Sequence, residues 1–231
     1  MKNFSTVSPL KILESSAYKE LGKGNLGVLM ARAGAGKTSC LIHIALDKLF
    51  HEEKVVHISL KDAPEKVASY YNAIIYDLVT ILNIENEHDT RVLFDKNRII
   101  FSYLNESFDL DRLYKSLANL VSKINFIPNT LVVDGLDFAE TSRDIFEGFK
   151  KIAKEFDLEV WFSALSHRHI AEVNEKGIPF PCNKVDDLFS LIVQLSSNQS
   201  GIALTILKDH DAEAVPDTIV RLDPNTYLVI E

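Results

Sequence analysis

The chain contains little cysteine, no excess of basic residues and no long apolar run. Its 231 residues include only two cysteines, Cys40 and Cys182, which are too few for a disulfide scaffold or a zinc site and suit a reducing cytoplasm. Lysine and arginine number 25 against 33 aspartates and glutamates, so the net charge of −8 argues against nucleic acid as a partner. Because no stretch reads as a membrane span or a signal peptide, we expect a cytoplasmic protein without a membrane partner.

A glycine-rich loop (residues 31–38) lies between an apolar run and a helical pattern. It reads ARAGAGKT, the A-x-x-x-x-G-K-T form of the Walker A phosphate-binding motif, with Ala31 where glycine usually stands. The run LGVLM before it predicts a strand over 26–31, and the apolar spacing after it predicts a helix over 37–50 with Cys40 in the core. The alternative is an ordinary turn with a chance G-K-T, but the flanking strand and helix favour the phosphate-binding motif.

The residue types of the glycine-rich loop suit a nucleotide phosphate. Small residues let backbone N–H groups turn toward an anion, and the following helix directs its positive end to the same place. Lys37 is expected to reach the β- and γ-phosphates, and the Thr38 hydroxyl to bind Mg²⁺. The predicted ligands are therefore ATP or ADP with Mg²⁺, and the residues predicted to bind the nucleotide are Ala33, Gly34, Ala35, Gly36, Lys37, Thr38 and Ser39.

Short apolar strands alternate with amphipathic helices up to about residue 165, which is typical of a parallel sheet with helices on both faces. Strands are predicted over 54–60, 98–104, 130–133 and 158–164, helices from Pro64, from about Asp109 and over 142–156, and a polar surface insertion over 83–97.

The remaining segments complete one predicted domain over residues 1–231. A long polar loop is predicted at 166–184, followed by strands at 188–195, 201–208, 217–222 and 226–230 that form an antiparallel C-terminal extension. At the other end, we expect a loose arm at 1–7 and a helix from Ser8 and Pro9 to about Leu21.

An acidic residue follows the strand predicted at 130–133. The run LVVD places Asp134 at the carboxyl edge of the sheet, where ligands bind in open α/β folds. Phosphate-loop enzymes need a Mg²⁺-binding carboxylate there, the Walker B aspartate. The alternative is an aspartate that simply ends a buried strand. Combined with the glycine-rich loop, the pattern predicts that Asp134 and Thr38 bind the metal.

With both motifs placed, the chain resembles the RecA-like ATPases, in particular the KaiC-like proteins and the ATPase domain of replicative hexameric helicases, from about residue 8 to the end. The glycine-rich loop is similar to the helicase version. HISLKDAPEKV (57–67) resembles the strand exit that carries the family's general base, and SALSH (163–167) resembles the segment whose last residue senses the γ-phosphate. The resemblance implies a RecA-like P-loop NTPase fold with the fifth strand between the first and fourth, and Lys37, Asp62 and His167 as catalytic residues.

Two positions depart from the family pattern. Lys61 occupies the first acidic position of the strand exit, which leaves Asp62 as the general base or, alternatively, as the cap of the helix that Pro64 begins. Lys61 itself could be solvated, or could pair with a phosphate or with Asp62. In LKDH, Lys208 fits a basic residue that the family inserts into the neighbouring subunit's site, whereas His210 replaces the second cation or is simply a turn residue.

These observations predict a Mg²⁺-dependent ATP-binding protein of the RecA and KaiC type. Because of the two departures, we expect slow hydrolysis used as a conformational or assembly switch, in a homo-oligomer or with a protein partner. The alternatives are a nucleotide-binding scaffold that does not hydrolyse ATP and, against the acidic charge, a DNA-acting helicase-like or recombinase-like module.

Overall fold

The computed structural model describes residues 4, 7–10, 20–104, 107–166, 170, 172–198, 201–212 and 219–230. The strands are β1 (Leu26–Ala31), β2 (Val55–Ser59), β3 (Arg98–Ser102), β4 (Thr130–Asp134), β5 (Glu159–Leu165), β6 (Leu191–Asn198), β7 (Gly201–Asp209) and β8 (Ile219–Leu222). The helices are α1 (Lys37–Phe50), α2 (Pro64–Leu82), α3 (Glu87–Asn97), α4 (Leu110–Ile124) and α5 (Arg143–Glu155).

The strands form a single eight-stranded sheet in the order β3-β2-β4-β5-β1-β6-β7-β8. Strands β1 to β6 pair in parallel, whereas β7 runs antiparallel to β6 and β8 antiparallel to β7. The predicted α/β class and the place of β5 between β1 and β4 are therefore confirmed. The antiparallel extension is confirmed for β7 and β8, whereas the run predicted at 188–195 forms β6, which pairs in parallel with β1. Because β1, β2 and β4 are parallel, their carboxyl ends meet at one edge of the sheet.

Two apolar layers enclose the sheet. Leu29 and Ala31 of β1 face a cluster with α1, α2 and α3, whereas Val28 and Met30 face a cluster with α4 and α5. A strand covered on both faces has to be apolar at every position, which explains the unbroken run LGVLM. Cys40 is fully buried in α1, as predicted, and burial raises the pKa of its thiol to about 12.

The predicted polar surface insertion at 83–97 contains a helix that was not predicted, because residues Glu87–Asn97 form α3. Within α3 only Phe94 and Asn97 are buried, so the helix has a narrow buried side and its sequence, EHDTRVLFDKN, reads as polar. The ring of Phe94 meets that of Phe50 edge-on, with centroids 4.9 Å apart. The ring of Phe94 and the acidic residues in the first turn both stabilise the helix.

The ends of the chain also differ from expectation where they are described. Phe4, in the predicted loose arm, is buried and stacks on Phe50 with centroids 4.7 Å apart. Most of that arm and of the helix predicted as far as Leu21 lies outside the described residues. The strand predicted at 226–230 is wrong, since that segment forms only an isolated bridge between Leu222 and Val229.

The predicted polar loop at 166–184 ends in a short 3-10 turn at Cys182–Lys184, and a second at Asp186–Leu188 precedes β6. Among the described residues, none of the helices combines the length and the apolar character that crossing a bilayer requires.

Candidate functional site

The fold brings the glycine-rich loop and the ends of β2 and β4 together at the carboxyl edge of the sheet. Ser59, the last residue of β2, lies opposite Asp134, the last residue of β4. The hydroxyl of Thr38 in the first turn of α1 donates a 2.7 Å hydrogen bond to Oδ2 of Asp134. The two residues predicted to bind a metal are thus in direct contact.

The glycine-rich loop turns sharply before α1 begins. Gly34 and Gly36 have left-handed backbone conformations, with φ of 74° and 86°, and Gly36 caps the helix. The first hydrogen bond of α1 runs from Cys40 N to Gly36 O, so the amides at 37–39 have no acceptor within the helix. The first turn of α1 contains no acidic residue. This N-terminus can therefore accept an anion.

The ammonium of Lys37 folds back over the glycine-rich loop. Its Nζ donates to the carbonyl of Ala31 at 3.3 Å and to that of Arg32 at 3.0 Å. Partial burial, reinforced by the positive charge of Lys61 and opposed by Asp134, lowers the pKa of Lys37. A lysine held by carbonyl oxygens can exchange them for the stronger contact with a phosphate oxygen.

The carboxylate of Asp134 is buried and well supplied with donors. Its Oδ1 accepts a 2.6 Å hydrogen bond from Ser163 of β5, and its Oδ2 accepts from Thr38. Burial on its own would raise the pKa of Asp134, but the charge of Lys61 and the hydrogen bonds from Ser163, Thr38 and Lys61 hold it below its usual value. The contribution of Ser163 was missed, although a lone serine among the apolar residues of β5 is a usable signal.

Lys61 pairs with Asp134 and not with Asp62, and its side chain remains 44% exposed. Its Nζ lies 3.1 Å from Oδ2 of Asp134 and donates to Oγ1 of Thr38, also at 3.1 Å. Gly135, with φ of 94°, makes room for the stem, because a Cβ there would lie 3.2 Å from Cγ of Lys61. The contacts of Lys61 with Asp134 and Thr38 were not among the alternatives drawn from the sequence.

The side chain of Asp62 points to a different partner. Its Oδ1 accepts a 2.6 Å hydrogen bond from Lys66 on α2. The alternative that Asp62 caps α2 is wrong, because the N-cap is Ala63 and no side chain caps this helix. The turn itself is fixed, since the amide of Asp62 donates to Ser59 Oγ and its carbonyl accepts from Ser102.

Of three further residues named from the resemblance, two contact partners elsewhere in the fold, and one lies outside the described residues. His167 is outside the described residues. Lys208 donates a 2.6 Å hydrogen bond to the carbonyl of Asp186 in the same chain. His210 lies in the turn after β7 with φ of 50°, and its ring contacts Asp209, so the structure favours the turn alternative for this residue.

Sequence reasoning missed a contact between the C-terminal segment and the glycine-rich loop. The hydroxyl of Tyr227 packs directly on Gly36, where an added Cβ would lie only 1.9 Å from it. On another side of the loop, a cavity of about 600 Å³ is lined by residues 32–35, Ser166 and residues 194–197 of β6. Its volume is within the range of small-molecule sites, which is roughly 300–1,000 Å³.

The arrangement does not fit a Mg²⁺ ion at the two predicted ligands. Magnesium prefers an octahedral set of oxygens at about 2.0–2.1 Å. Here the ammonium of Lys61 lies 3.1 Å from both Thr38 Oγ1 and Asp134 Oδ2, so a metal ion bound to these two oxygens would have to displace it. Across the part of the chain that the structure describes, no group of three or more His, Cys, Asp or Glu side chains could hold a metal ion.

Comparison with models of protein families gave no match, and comparison with curated protein sequences gave none either. The class of this protein therefore has to be inferred from the residues and geometry of the site.

Proposed function

We propose that the chain is a RecA-like, KaiC-related protein that binds the phosphates of ATP or ADP at residues 33–39 and acts as a nucleotide-responsive switch. The observation that carries the proposal is the glycine-rich loop between β1 and α1, with a lysine and the amides of the first helical turn grouped at the carboxyl edge of the sheet. Helix N-termini of this kind bind phosphate through N–H groups and the helix dipole.

The surroundings of the loop support a nucleotide as the ligand. Lys37 and Lys61 bring two positive charges to the site, and Asp134 is the carboxylate in contact with Lys61. The cavity beside residues 32–35 offers room for the rest of a nucleotide, lined by Gln194 and serine side chains that can hydrogen-bond a base or a ribose. An excess of positive charge and a polar cavity are what a polyphosphate ester requires.

Two features favour a nucleotide-binding scaffold with slow or no hydrolysis over a fast ATPase. Attack on the γ-phosphate needs a group that positions and deprotonates water. Asp62, the remaining acidic candidate at the end of β2, is engaged in an ion pair with Lys66. Lys61, which replaces the other acidic position, is a cation held on Asp134 and cannot act as a carboxylate base.

Assembly with a second copy or a protein partner belongs to the same proposal, as the output of the switch. Lys208, the residue that the resemblance assigns to a neighbouring subunit's site, donates to a carbonyl of its own chain. The acidic net charge of −8 continues to argue against a DNA-acting module.

The test is equilibrium binding of ATP by calorimetry, with wild type compared with Lys37→Ala. A charge-assisted hydrogen bond contributes about 1.5–3 kcal/mol, so the variant is expected to bind ATP at least about tenfold more weakly. Lys23→Ala is the matched control, since Lys23 pairs with Asp157 on the surface. Equal affinity of wild type and Lys37→Ala, or no binding by wild type, would overturn the proposal.

A further inference from the structure

We infer that the ammonium of Lys61 takes the place of the divalent cation at this site, so that the chain binds nucleotide phosphates without Mg²⁺. The inference rests on the proposed function and specifies which charge the site itself supplies. Its starting point is the disagreement between the expected metal ligands and the contacts that those residues make.

Lys61 contacts both oxygens that were expected to bind the metal ion. Oγ1 of Thr38 and Oδ2 of Asp134 are 2.7 Å apart, and Nζ of Lys61 is 3.1 Å from each of them. The three groups form a closed triangle in which the hydroxyl accepts from Lys61 and donates to the carboxylate. A cation is therefore already bound to the two oxygens that would otherwise hold a metal ion.

The positive charge of Lys61 balances the buried negative charge of Asp134. Asp134 is only 2% exposed, and a buried carboxylate needs a counter-charge because desolvation is costly. Lys61 provides that charge, and its side chain remains 44% exposed. A divalent ion at the same oxygens would lie beside the charges of both Lys61 and Lys37, which already repel each other.

The ammonium of Lys61 keeps one N–H bond beyond its contacts with Thr38 and Asp134. An ammonium has three N–H bonds, and Lys61 directs two of them at Thr38 and Asp134. Within the described residues no further acceptor for Lys61 occurs, so one N–H bond is available for a phosphate oxygen. A metal ion bound to the same two side chains would bridge to phosphate in the same way.

The fold leaves space for the side chain of Lys61 and fixes the backbone next to it. Gly135 leaves the space that the stem occupies, with an added Cβ falling 3.2–3.3 Å from three of its carbons. The amide of Leu60 donates to the carbonyl of Asp134 at 2.9 Å, which fixes the backbone from which the lysine extends. The ammonium is thus held in position before a ligand binds.

The experiment measures ATP affinity in excess EDTA and in excess Mg²⁺, for wild type and Lys61→Met. We expect the wild-type dissociation constants in the two buffers to agree within about twofold. Lys61→Met keeps the stem and loses the charge, so its affinity in EDTA should fall at least about tenfold and recover in part with Mg²⁺. Lys66→Met, on the neighbouring helix, should keep the wild-type behaviour.

The outcomes separate this inference from the proposed function. Wild type that binds ATP only with Mg²⁺ overturns the inference and leaves the proposed function standing, as does Lys61→Met that matches wild type in both buffers. Wild type that binds in neither buffer overturns both. Thermal unfolding of each variant checks the fold, and Lys61→Gln, which keeps a hydrogen-bond donor without the charge, replaces Lys61→Met if the latter does not fold.

Discussion

The hydroxyl of Thr38 and the carboxylate of Asp134 share a 2.7 Å hydrogen bond across 96 positions of sequence. The bond ties the first turn of α1 to the end of β4, and Ser163 and Lys61 complete the hydrogen bonding of the same carboxylate. These three partners come from α1, from β5 and from the second residue after β2. The site is consequently organised by the protein alone, which lowers the cost of ordering it when a ligand binds.

Gly36 should be far less tolerant of alanine than Gly34. Both have positive φ, so each substitution carries backbone strain of about 1–2 kcal/mol. At Gly36 the new methyl group would also collide with the hydroxyl of Tyr227, whereas at Gly34 no atom of the described residues lies within 4 Å of it. We expect Gly36→Ala to be less stable than Gly34→Ala by a further 1–3 kcal/mol or so in chemical denaturation.

Removing the tyrosine isolates the cause of this difference. In a Tyr227→Ala background the two alanine variants should lose nearly the same free energy of unfolding, because only the backbone strain remains. If Gly36→Ala remains less stable than Gly34→Ala without Tyr227, the contact between Tyr227 and Gly36 is not the cause of the difference in unfolding free energy.

Helix α3 should be an integral part of the core in spite of its polar sequence. Phe94→Ala removes a ring that is 1% exposed and is expected to cost about 3–5 kcal/mol of unfolding free energy. Val92→Ala on the same helix, 52% exposed, is the control and should change it by less than about 0.5 kcal/mol. Equal, small effects at both positions would mean that this segment does not pack against α1.

Stability should fall as the solution is acidified from about pH 6.5 toward pH 4. His43 is buried, and burial lowers its pKa to about 4 from the usual 6.5, against a smaller opposing effect of a hydrogen bond to the Thr226 backbone. Between these two values the unfolded chain binds a proton that the folded chain does not, so acidification favours unfolding. The full effect is on the order of 3 kcal/mol and is complete below the folded pKa.

Denaturation curves across this pH range check the contribution of His43. His43→Leu should lose less stability on acidification than wild type, while His57, whose pKa burial also lowers to about 4, continues to contribute. His88→Gln, at an exposed position of α3, should retain the wild-type slope. An unchanged slope in His43→Leu would contradict a neutral, buried histidine at this position.

Asp62→Asn should leave phosphate release from ATP at the level of wild type, because Asp62 is paired with Lys66. We expect both proteins to turn over slowly, and Lys37→Ala to lose what remains through weaker binding. Phosphate release measured over a range of protein concentrations checks this. Turnover that rises with concentration and disappears in Asp62→Asn would instead identify an oligomeric ATPase with Asp62 as its base.

The sequence predicted those elements whose signals are local. The apolar run LGVLM, the glycines after it and the helical spacing from Lys37 placed β1 and α1 at their observed bounds. By contrast, α3 was missed because only Phe94 and Asn97 of its residues are buried, too few to produce a visible helical period.

The sequence predicted where the site lies, but not the hydrogen bonds and ion pairs that its residues make. The order of strands implied that Asp134 would lie near the glycine-rich loop, and it does. The direction of Lys61 depends on the space above Gly135, and the contact of Tyr227 with Gly36 depends on how the C-terminal segment returns to the loop. Such long-range packing leaves no pattern in neighbouring residues.

The most direct test of nucleotide binding at the glycine-rich loop is amide hydrogen exchange of this segment with and without saturating ATP. We predict that ATP slows exchange at residues 36–39, whose amides would bond phosphate oxygens, and that Lys37→Ala loses this protection. Exchange of residues 36–39 that ATP leaves unchanged, or protection that appears only elsewhere in the chain, would contradict phosphate binding at this loop.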